Sequence, residues 1–325
     1  MEFAAKWRKE HMLGSGGSAS VYLAKSENPS LPSVMAVKSV KTSEVSKYRR
    51  LLTEGNVLSS LQGSPYIIRC YGTDTTIEKG TNGSDFEYFN VLLEYTLHGS
   101  LKNCLDFDDL PEEEVKLYTR CLLQGLQYIH ENGYVHCDIK PQNILLFSSS
   151  DLKCTIPKIA DFGHAQRVGE SLKKSTPGLI GTLRYMAPES LNMNEYEPPC
   201  DIWALGCTVL QMLTKNIPWF LLFREENVKA RIACSQDILE IPKTLSFQAQ
   251  DFLKKCLAKD QSDRWTIEAL LAHPFLFTED AGRSCRAGLK RGRRVDSTPP
   301  RPRASTEDEG DKRRKTDIQA EDNTQ

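Results

Sequence analysis

The two parts of this 325-residue chain carry different hydrophobic periods, and their order excludes most folds open to a chain of this length. Up to about residue 95 the pattern is short and β-like. "SVYLA" (20–24) and "VMAVKSV" (34–40) read as strands joined across the Pro/Ser-rich "ENPSLPS". "YIIRCYG" and "YFNVLLEY" read as a second pair, separated by a polar insert, "TIEKGTNGSD", whose Asn82-Gly83 is a hairpin-turn signal. One helix is evident in this part, "SEVSKYRRLLTEGNVLSSL", with Leu51, Leu52, Val57, Leu58 and Leu61 on an apolar face. From about 96 to 277 the reading is mostly helical. "PEEEVKLYTRCLLQGLQYIHENG" opens with Pro111 and three glutamates and closes on Asn132-Gly133, acid complementing the positive end of the helix dipole. "CDIWALGCTVLQMLT" is apolar on nearly all sides, which predicts a buried central helix. Sheet first and helices afterwards argue for an α+β chain with two lobes, 7–95 and 96–277, and against a doubly wound sheet.

Composition closes other routes. Hydrophobic residues are 39% and charged residues 26%, the balance of a globular protein, and a net charge of −1 draws the whole chain to neither nucleic acid nor membrane. No apolar run reaches the roughly 18 residues that span a bilayer. The opening "MEFAAKWRKEH" places charges where a signal peptide needs an apolar run, and Glu2 excludes N-myristoylation. Ten cysteines form no C-x-x-C pair and read as small buried hydrophobes in a reducing compartment, so a cytoplasmic or nuclear protein is expected. Residues 278–325 differ: they hold 12 Lys and Arg against 10 Asp and Glu with few large apolar side chains, and are expected to be disordered. Their clusters "KRGRR" and "DKRRKT" have the form of import signals, whereas interrupting acids such as "TEDEGD" argue against specific nucleic-acid binding.

Chemistry-bearing residues recur in a fixed order. "LGSGGSASVYLA" places Gly14, Ser15, Gly16 and Gly17 in a turn between strands, where backbone N–H groups can close over phosphates; Val21 follows, and Ala19 stands at the third glycine position of G-x-G-x-x-G. Lys38 lies mid-strand among apolar residues, and Glu54 lies 16 residues on in a helix that can present it to Lys38. "VHCDIKPQNILL" supplies Asp138, Lys140 and Asn143; "IADFGHA" supplies Asp161 and Phe162; "GTLRYMAPES" ends on Ala187-Pro188-Glu189. One carboxylate and one amide oxygen, with phosphates and water, suffice for Mg2+. Each piece alone has an ordinary structural explanation, a hairpin glycine or a solvated helix face. Together, in this order, they do not.

Residues from about 7 to 277, about five-sixths of the chain, resemble a eukaryotic protein kinase domain. "DIKPQN" and the "GT" before "MAPE" resemble serine/threonine kinases. "CDIWALGCTVLQMLT", "DFLKKCLAKDQSDRWT" and "LLAHPFL" resemble the MAP kinase kinase kinase group, and the cysteine-bearing loop with "SPYIIRCYG" and "DFGHA" resembles its plant MEKK-type branch. The resemblance implies a β-rich N-lobe with one main helix, a larger helical C-lobe, and ATP with Mg2+. It implies catalytic roles for Asp138 (base), Lys140, Lys38, Glu54 and Thr182, and metal ligation by Asn143 and Asp161. The nucleotide pocket would take Gly14, Ser15, Gly16, Gly17, Val21, Ala36 and Lys38, with Leu93 as gatekeeper and Glu94-Tyr95 opening the hinge. It further implies that Asp201 supports the catalytic loop, that Arg264 pairs with Glu189, and that MAP kinase kinases are the protein substrates.

Two departures stand out. Cys137 occupies the position where H-R-D carries an arginine that reads activation-segment phosphate, so activity is expected to depend weakly on that phosphate, although Ser171, Ser175 and Thr176 lie in the segment and Thr298-Pro299 in the tail. "ILLFSSSDLKCTIPKIA" predicts a longer, exposed hairpin loop before Asp161. The alternative to an active kinase is a catalytically impaired scaffold; Lys38, Glu54, Asp138, Asn143 and Asp161 are all present, which favours the enzyme. The sequence leaves the upstream signal and the oligomeric state open.

Overall fold

A computed structural model of the chain describes residues 7–80, 83–149, 154–170, 179–234 and 239–277. The tail from 278 and the candidate phosphosites Ser171, Ser175, Thr176 and Thr298 lie outside the described residues.

The N-lobe is an antiparallel sheet built from β1 (Trp7–Ser15), β2 (Ser20–Ser26), β3 (Val34–Lys41), β4 (Cys70–Lys79) and β5 (Asp85–Leu93), in the order β1-β2-β3-β5-β4, with α1 (Val45–Ser60) against it. Strand β3 reads as a continuous apolar run because both faces are covered. Met35 and Val37 join Ala24, Leu31 and Leu92 in a small cluster on one side. Ala36 and Val40 join the main core on the other, and the period of two puts Lys38 on that same face. Strand β1, implied by the glycine turn but not delimited by apolar alternation, has only exposed or half-buried residues; pairing with β2 and the Trp7 indole, 2.9 Å from Asp74 Oδ2, hold it.

The second hairpin differs from expectation. Strand β4 begins at Cys70 and runs through "TIEK", so half of the supposed insert is strand, and Lys79 pairs with Asp85. The β-branched run Thr73, Thr75, Thr76, Ile77 favours extension despite its polarity. Asn82 of the expected turn lies outside the described residues; Gly83 takes φ +81° and its N–H donates to Gly80 O at 3.0 Å. Tyr66 to Arg69 are not part of that strand: Ile68 N–H donates to Ile159 O at 2.9 Å and Ile159 N–H to Tyr66 O at 2.8 Å, tying this segment to the C-lobe.

The C-lobe contains α2 (Leu101–Phe107), α3 (Glu112–Glu131), β6 (Tyr134–Val135), the hairpin β7 (Ile144–Ser148) and β8 (Thr155–Ile159), β9 (Gln166–Arg167), α4 (Pro188–Asn192), α5 (Pro198–Thr214), α6 (Glu225–Ala233), α7 (Phe247–Cys256) and α8 (Ile267–Leu271). Helix α5 is buried at every position from Cys200 to Met212 and packs on α3 and α7, as its all-round apolarity demands. Strands β7 and β8 pair as the expected hairpin before Asp161, and the middle of its loop, residues 150–153, lies outside the described residues. Cysteines 70, 121, 200, 207 and 256 are buried, but Cys234 is exposed, because its short helix α6 buries only Val228 and Ile232. Among the described residues no helix is long and apolar enough to cross a membrane.

Candidate active site

Glu54 sits on the buried stripe of α1 with Leu51, Val57 and Leu58, so the helix face that packs on the sheet carries a carboxylate inward. The approach is close: a Cβ on Gly55 would lie 2.8 Å from Thr73 Cγ2. Lys38 Nζ is 2.6 Å from Glu54 Oε2 and 2.9 Å from Asp161 Oδ1. Burial works against the Lys38 charge, but Glu54 and Asp161 together outweigh it and hold the ammonium well above its ordinary range.

Asp161 has a left-handed backbone, φ +64°. That turn sends Phe162 into the core under α1, edge-on to the His136 ring, while the carboxylate faces Lys38. His136 Nδ1 accepts from Asp138 N–H at 3.2 Å, which leaves Nε2–H to donate to Ala160 O at 3.1 Å. Burial lowers the His136 pKa and keeps that ring neutral.

The catalytic-loop residues converge on Asp138, which is 3% exposed. Thr182 Oγ1 donates to Oδ1 at 2.7 Å; Lys140 Nζ donates to Oδ2 at 2.7 Å and to Thr182 Oγ1 at 2.6 Å; Asn143 Nδ2 donates to Oδ2 at 2.9 Å. Burial raises the Asp138 pKa, but the neighbouring His164, Lys140 and Thr182 prevail and hold it well below the carboxylate range. The amide of Asn143 also donates to Asp138 O, so its hydrogens are spent and its oxygen is the atom left to ligate.

The loop is held from beneath. Asp201, fully buried at the start of α5, accepts the N–H of Cys137 at 2.9 Å and of His136 at 2.8 Å, and its Oδ2 lies 2.9 Å from His130 Nε2. Cys137 takes φ +67°, and its carbonyl oxygen would lie 2.4 Å from a Cβ on Gly181, itself at φ +100°. Only glycine lets the segment carrying Thr182 come so near. Burial, with Asp201 and Asp138, pushes the Cys137 thiol up.

The nucleotide-pocket candidates line the sheet's lower face and its exit. Val21 pairs with Lys38, and Ala36 with Leu93. Gly14, Gly16 and Gly17 have open space where a Cβ would stand, and Ser15 lies at the end of β1. The Glu94 carboxylate is taken by Lys158 at 2.7 and 2.8 Å and its N–H by Arg69 O, and Tyr95 packs on the core. Sequence reading missed Lys158, His130, His164 and Arg184. Arg184 donates to the carbonyls of Pro218, Trp219 and Leu222, fastening the segment after Thr182 to the loop beyond α5. Only the motif-adjacent places of His164 and Arg184 could have pointed to them.

The protein kinase domain matches residues 7–276. The chain is 41% identical to mitogen-activated protein kinase kinase kinase 20 of Arabidopsis thaliana over 281 residues, 83% of this chain and 78% of that protein. It is 38% identical to mitogen-activated protein kinase kinase kinase 17 of the same plant, covering 84% and 70%, and 36% identical to kinase kinase kinase 18, covering 84% and 78%.

Proposed function

The chain belongs to the protein kinase family, as a serine/threonine kinase similar to plant MAP kinase kinase kinases, and on that premise we propose that it transfers the γ-phosphoryl group of ATP, with Mg2+, to MAP kinase kinases. The observation that carries this reading is the closed set of contacts joining Lys38 to Glu54 and Asp161, and Asp138 to Lys140, Thr182 and Asn143. Lys38 is poised to meet the α- and β-phosphates, and the backbone of Gly14 to Gly17 to cover them. Val21, Ala36 and Leu93 offer apolar surface to adenine, and the backbone of Glu94 and Tyr95 its hydrogen-bonding edge. Asp138 accepts the hydroxyl proton, while Lys140 offsets charge on the moving phosphoryl group.

The donor set fits a hard divalent cation: one carboxylate, Asp161, and one amide oxygen, Asn143, beside the space left for phosphates. Among the described residues no group of three or more His, Cys, Asp or Glu could hold a metal without such help. Bound there, Mg2+ would neutralise charge on the β- and γ-phosphates. A scaffold without catalysis finds no support, since no expected catalytic side chain is missing or turned away.

The test is γ-phosphate transfer to a generic basic protein and to a panel of MAP kinase kinases with sites mapped, beside Lys38→Met and Asp161→Asn. Wild type no faster than those variants refutes the enzyme; transfer to the basic protein but to no kinase refutes the substrate class. We place the protein in cytoplasm and nucleus on the basic clusters of the tail. A reporter carrying residues 278–325 that gains no nuclear signal refutes the nuclear part.

A further inference from the structure

The N-lobe sheet holds a cavity on the face turned away from Lys38. Val21 pairs with Lys38 on the nucleotide side, so alternation along β2 and β3 puts Ser20, Tyr22, Ser39 and Lys41 on the other side. Between the outside of the Gly14–Gly17 turn and the start of α1, these side chains border a space of about 470 Å3, open to solvent at its mouth.

Its walls supply a cation and hydroxyls. Glu44 and Lys47 also line it, and at 2.5 Å they neutralise one another. Lys41 has no such partner. Among the described residues it forms no ion pair, and its ammonium is held over the Phe86 ring, 3.8 Å from the centroid. The ring fixes the charge without neutralising it, so the cavity keeps one uncompensated positive charge. Ser15 and Ser20 have their Oγ atoms 3.2 Å apart, so one hydrogen joins the pair and the other is left to donate. The hydroxyls of Tyr22 and Tyr88 meet no partner among the described residues. Ser39 is spent, since its hydroxyl donates to Asn90 Oδ1. Donors thus converge from β1, β2, β3 and β5 around one surplus charge. A carboxylate presents its oxygens in a plane, whereas a phosphate group presents three in a pyramid and can meet donors from several strands.

We propose that this cavity binds a phosphate group outside the nucleotide site, and that its occupancy tightens the binding of ATP. Its walls are the outer sides of the elements that hold the nucleotide. Ser15 belongs to the Gly14–Gly17 turn, Lys41 follows Lys38 on β3, and Glu44 and Lys47 stand at the start of α1, which carries Glu54. A group bound among them restrains the turn and α1 in the arrangement where Lys38 meets Glu54. ATP needs that same arrangement, so each ligand favours the other by an equal factor. The coupling rests on the nucleotide reading above; the site itself does not.

The test uses the full chain and two probes, inorganic phosphate and a short phosphoserine peptide, followed by 31P line broadening. A non-hydrolysable ATP analogue fills the nucleotide site, so binding seen in its presence is binding elsewhere. Both probes are expected to bind the loaded chain. Lys41→Gln should weaken them at least about tenfold. Glu44→Gln, which removes the cavity's carboxylate and releases Lys47, should tighten them; general damage to the fold cannot do that. No binding to the loaded chain overturns the proposal, as do probes that respond to neither substitution. Equal binding of the two probes assigns free phosphate as a sufficient ligand, and tighter binding of the peptide assigns a phosphorylated protein; either supports the site. With the peptide present, wild type should hold the analogue about fivefold more tightly than Lys41→Gln does, and without it the two should bind it alike. Equal affinities in both conditions overturn the coupling. If the analogue itself fails to bind, the nucleotide reading falls, and the two substitutions still decide the cavity in the unliganded chain.

Discussion

Replacing Asp201 tests how the catalytic loop is held. Its carboxylate is 0% exposed and accepts two backbone N–H groups, those of His136 and Cys137, besides its contact with His130. Asp201→Ala strands both donors in the interior at about 1–3 kcal/mol each, hence about 2–6 kcal/mol together. It also frees Cys137, whose left-handed backbone costs about 1–2 kcal/mol and persists only while its surroundings impose it. The expected outcome is a fall of about 3–5 kcal/mol in unfolding free energy, read as a lower urea midpoint at unchanged slope, with loss of transfer activity. Asp201→Asn separates charge from shape. It keeps one acceptor but presents an NH2 where the other N–H points, so at least about 1 kcal/mol should be lost despite equal volume. Although burial raises it, hydrogen bonding to His130 and its surroundings leave the folded-state pKa of Asp201 depressed. Its stabilisation is therefore fully present above the unfolded value, about 3.9, and fades as pH falls through the folded one. The gap between wild type and Asn variant should be widest near neutrality and shrink below about pH 4. An Asn variant within about 0.5 kcal/mol of wild type at pH 7, with full activity, would refute the reasoning.

Other outcomes follow from the same geometry. Gly181→Ala should fold, since the overlap is with one carbonyl 2.4 Å away, yet lose about 100-fold in kcat because the Thr182 segment must retreat from Asp138; circular dichroism and steady-state rates check both. Arg264→Ala removes a guanidinium bound to both oxygens of Glu189, at 2.5 and 2.7 Å, and to the carbonyls of Ala258, Lys259 and Pro199; leaving Glu189 buried and unpaired should cost about 3–5 kcal/mol by urea unfolding. Phosphatase treatment should leave most activity, and abolition would contradict the role given to Cys137.

Legibility in the sequence followed burial. Helix α5 could be read because it is apolar on every side, and α1 because its stripe is periodic. Glu54 alone reads as part of a solvated helix face; its spacing from Lys38 singled it out, and the fold places it on the buried stripe with Leu51, Val57 and Leu58. Strand β1 and the outer half of β4 could not be read from apolar alternation, because their side chains are largely solvated and backbone pairing holds them. Motif residues declared themselves by order and spacing. Partners outside any motif, such as His130 and Lys158, become visible only when α3 and β8 bring them to Asp201 and Glu94.

Cys137 shows where such reading stops. The sequence reveals that an arginine is absent but not what replaces it. In the fold Cys137 packs against a cluster of Ile180, Met186 and Tyr196, as Leu183 and Leu191 do, and the Tyr196 hydroxyl accepts the Ile180 N–H at 2.9 Å. The segment leading to Thr182 is therefore held by apolar contact with Cys137 and by the Ile180–Tyr196 hydrogen bond, and Thr182 itself bonds Asp138 and Lys140 of the catalytic loop. Burial of this kind is insensitive to salt and needs no modification to form, whereas an arginine site is empty until phosphorylated. A Cys137→Asp variant distinguishes the two. It places a charge in that cluster beside Asp138 and Asp201, and should loosen the Thr182 segment and lower kcat at least about tenfold. Cys137→Ala, which keeps the site apolar, should retain most of the rate. Equal losses in both variants would mean that the sulfur itself, and not the apolar character of the site, holds the segment in place.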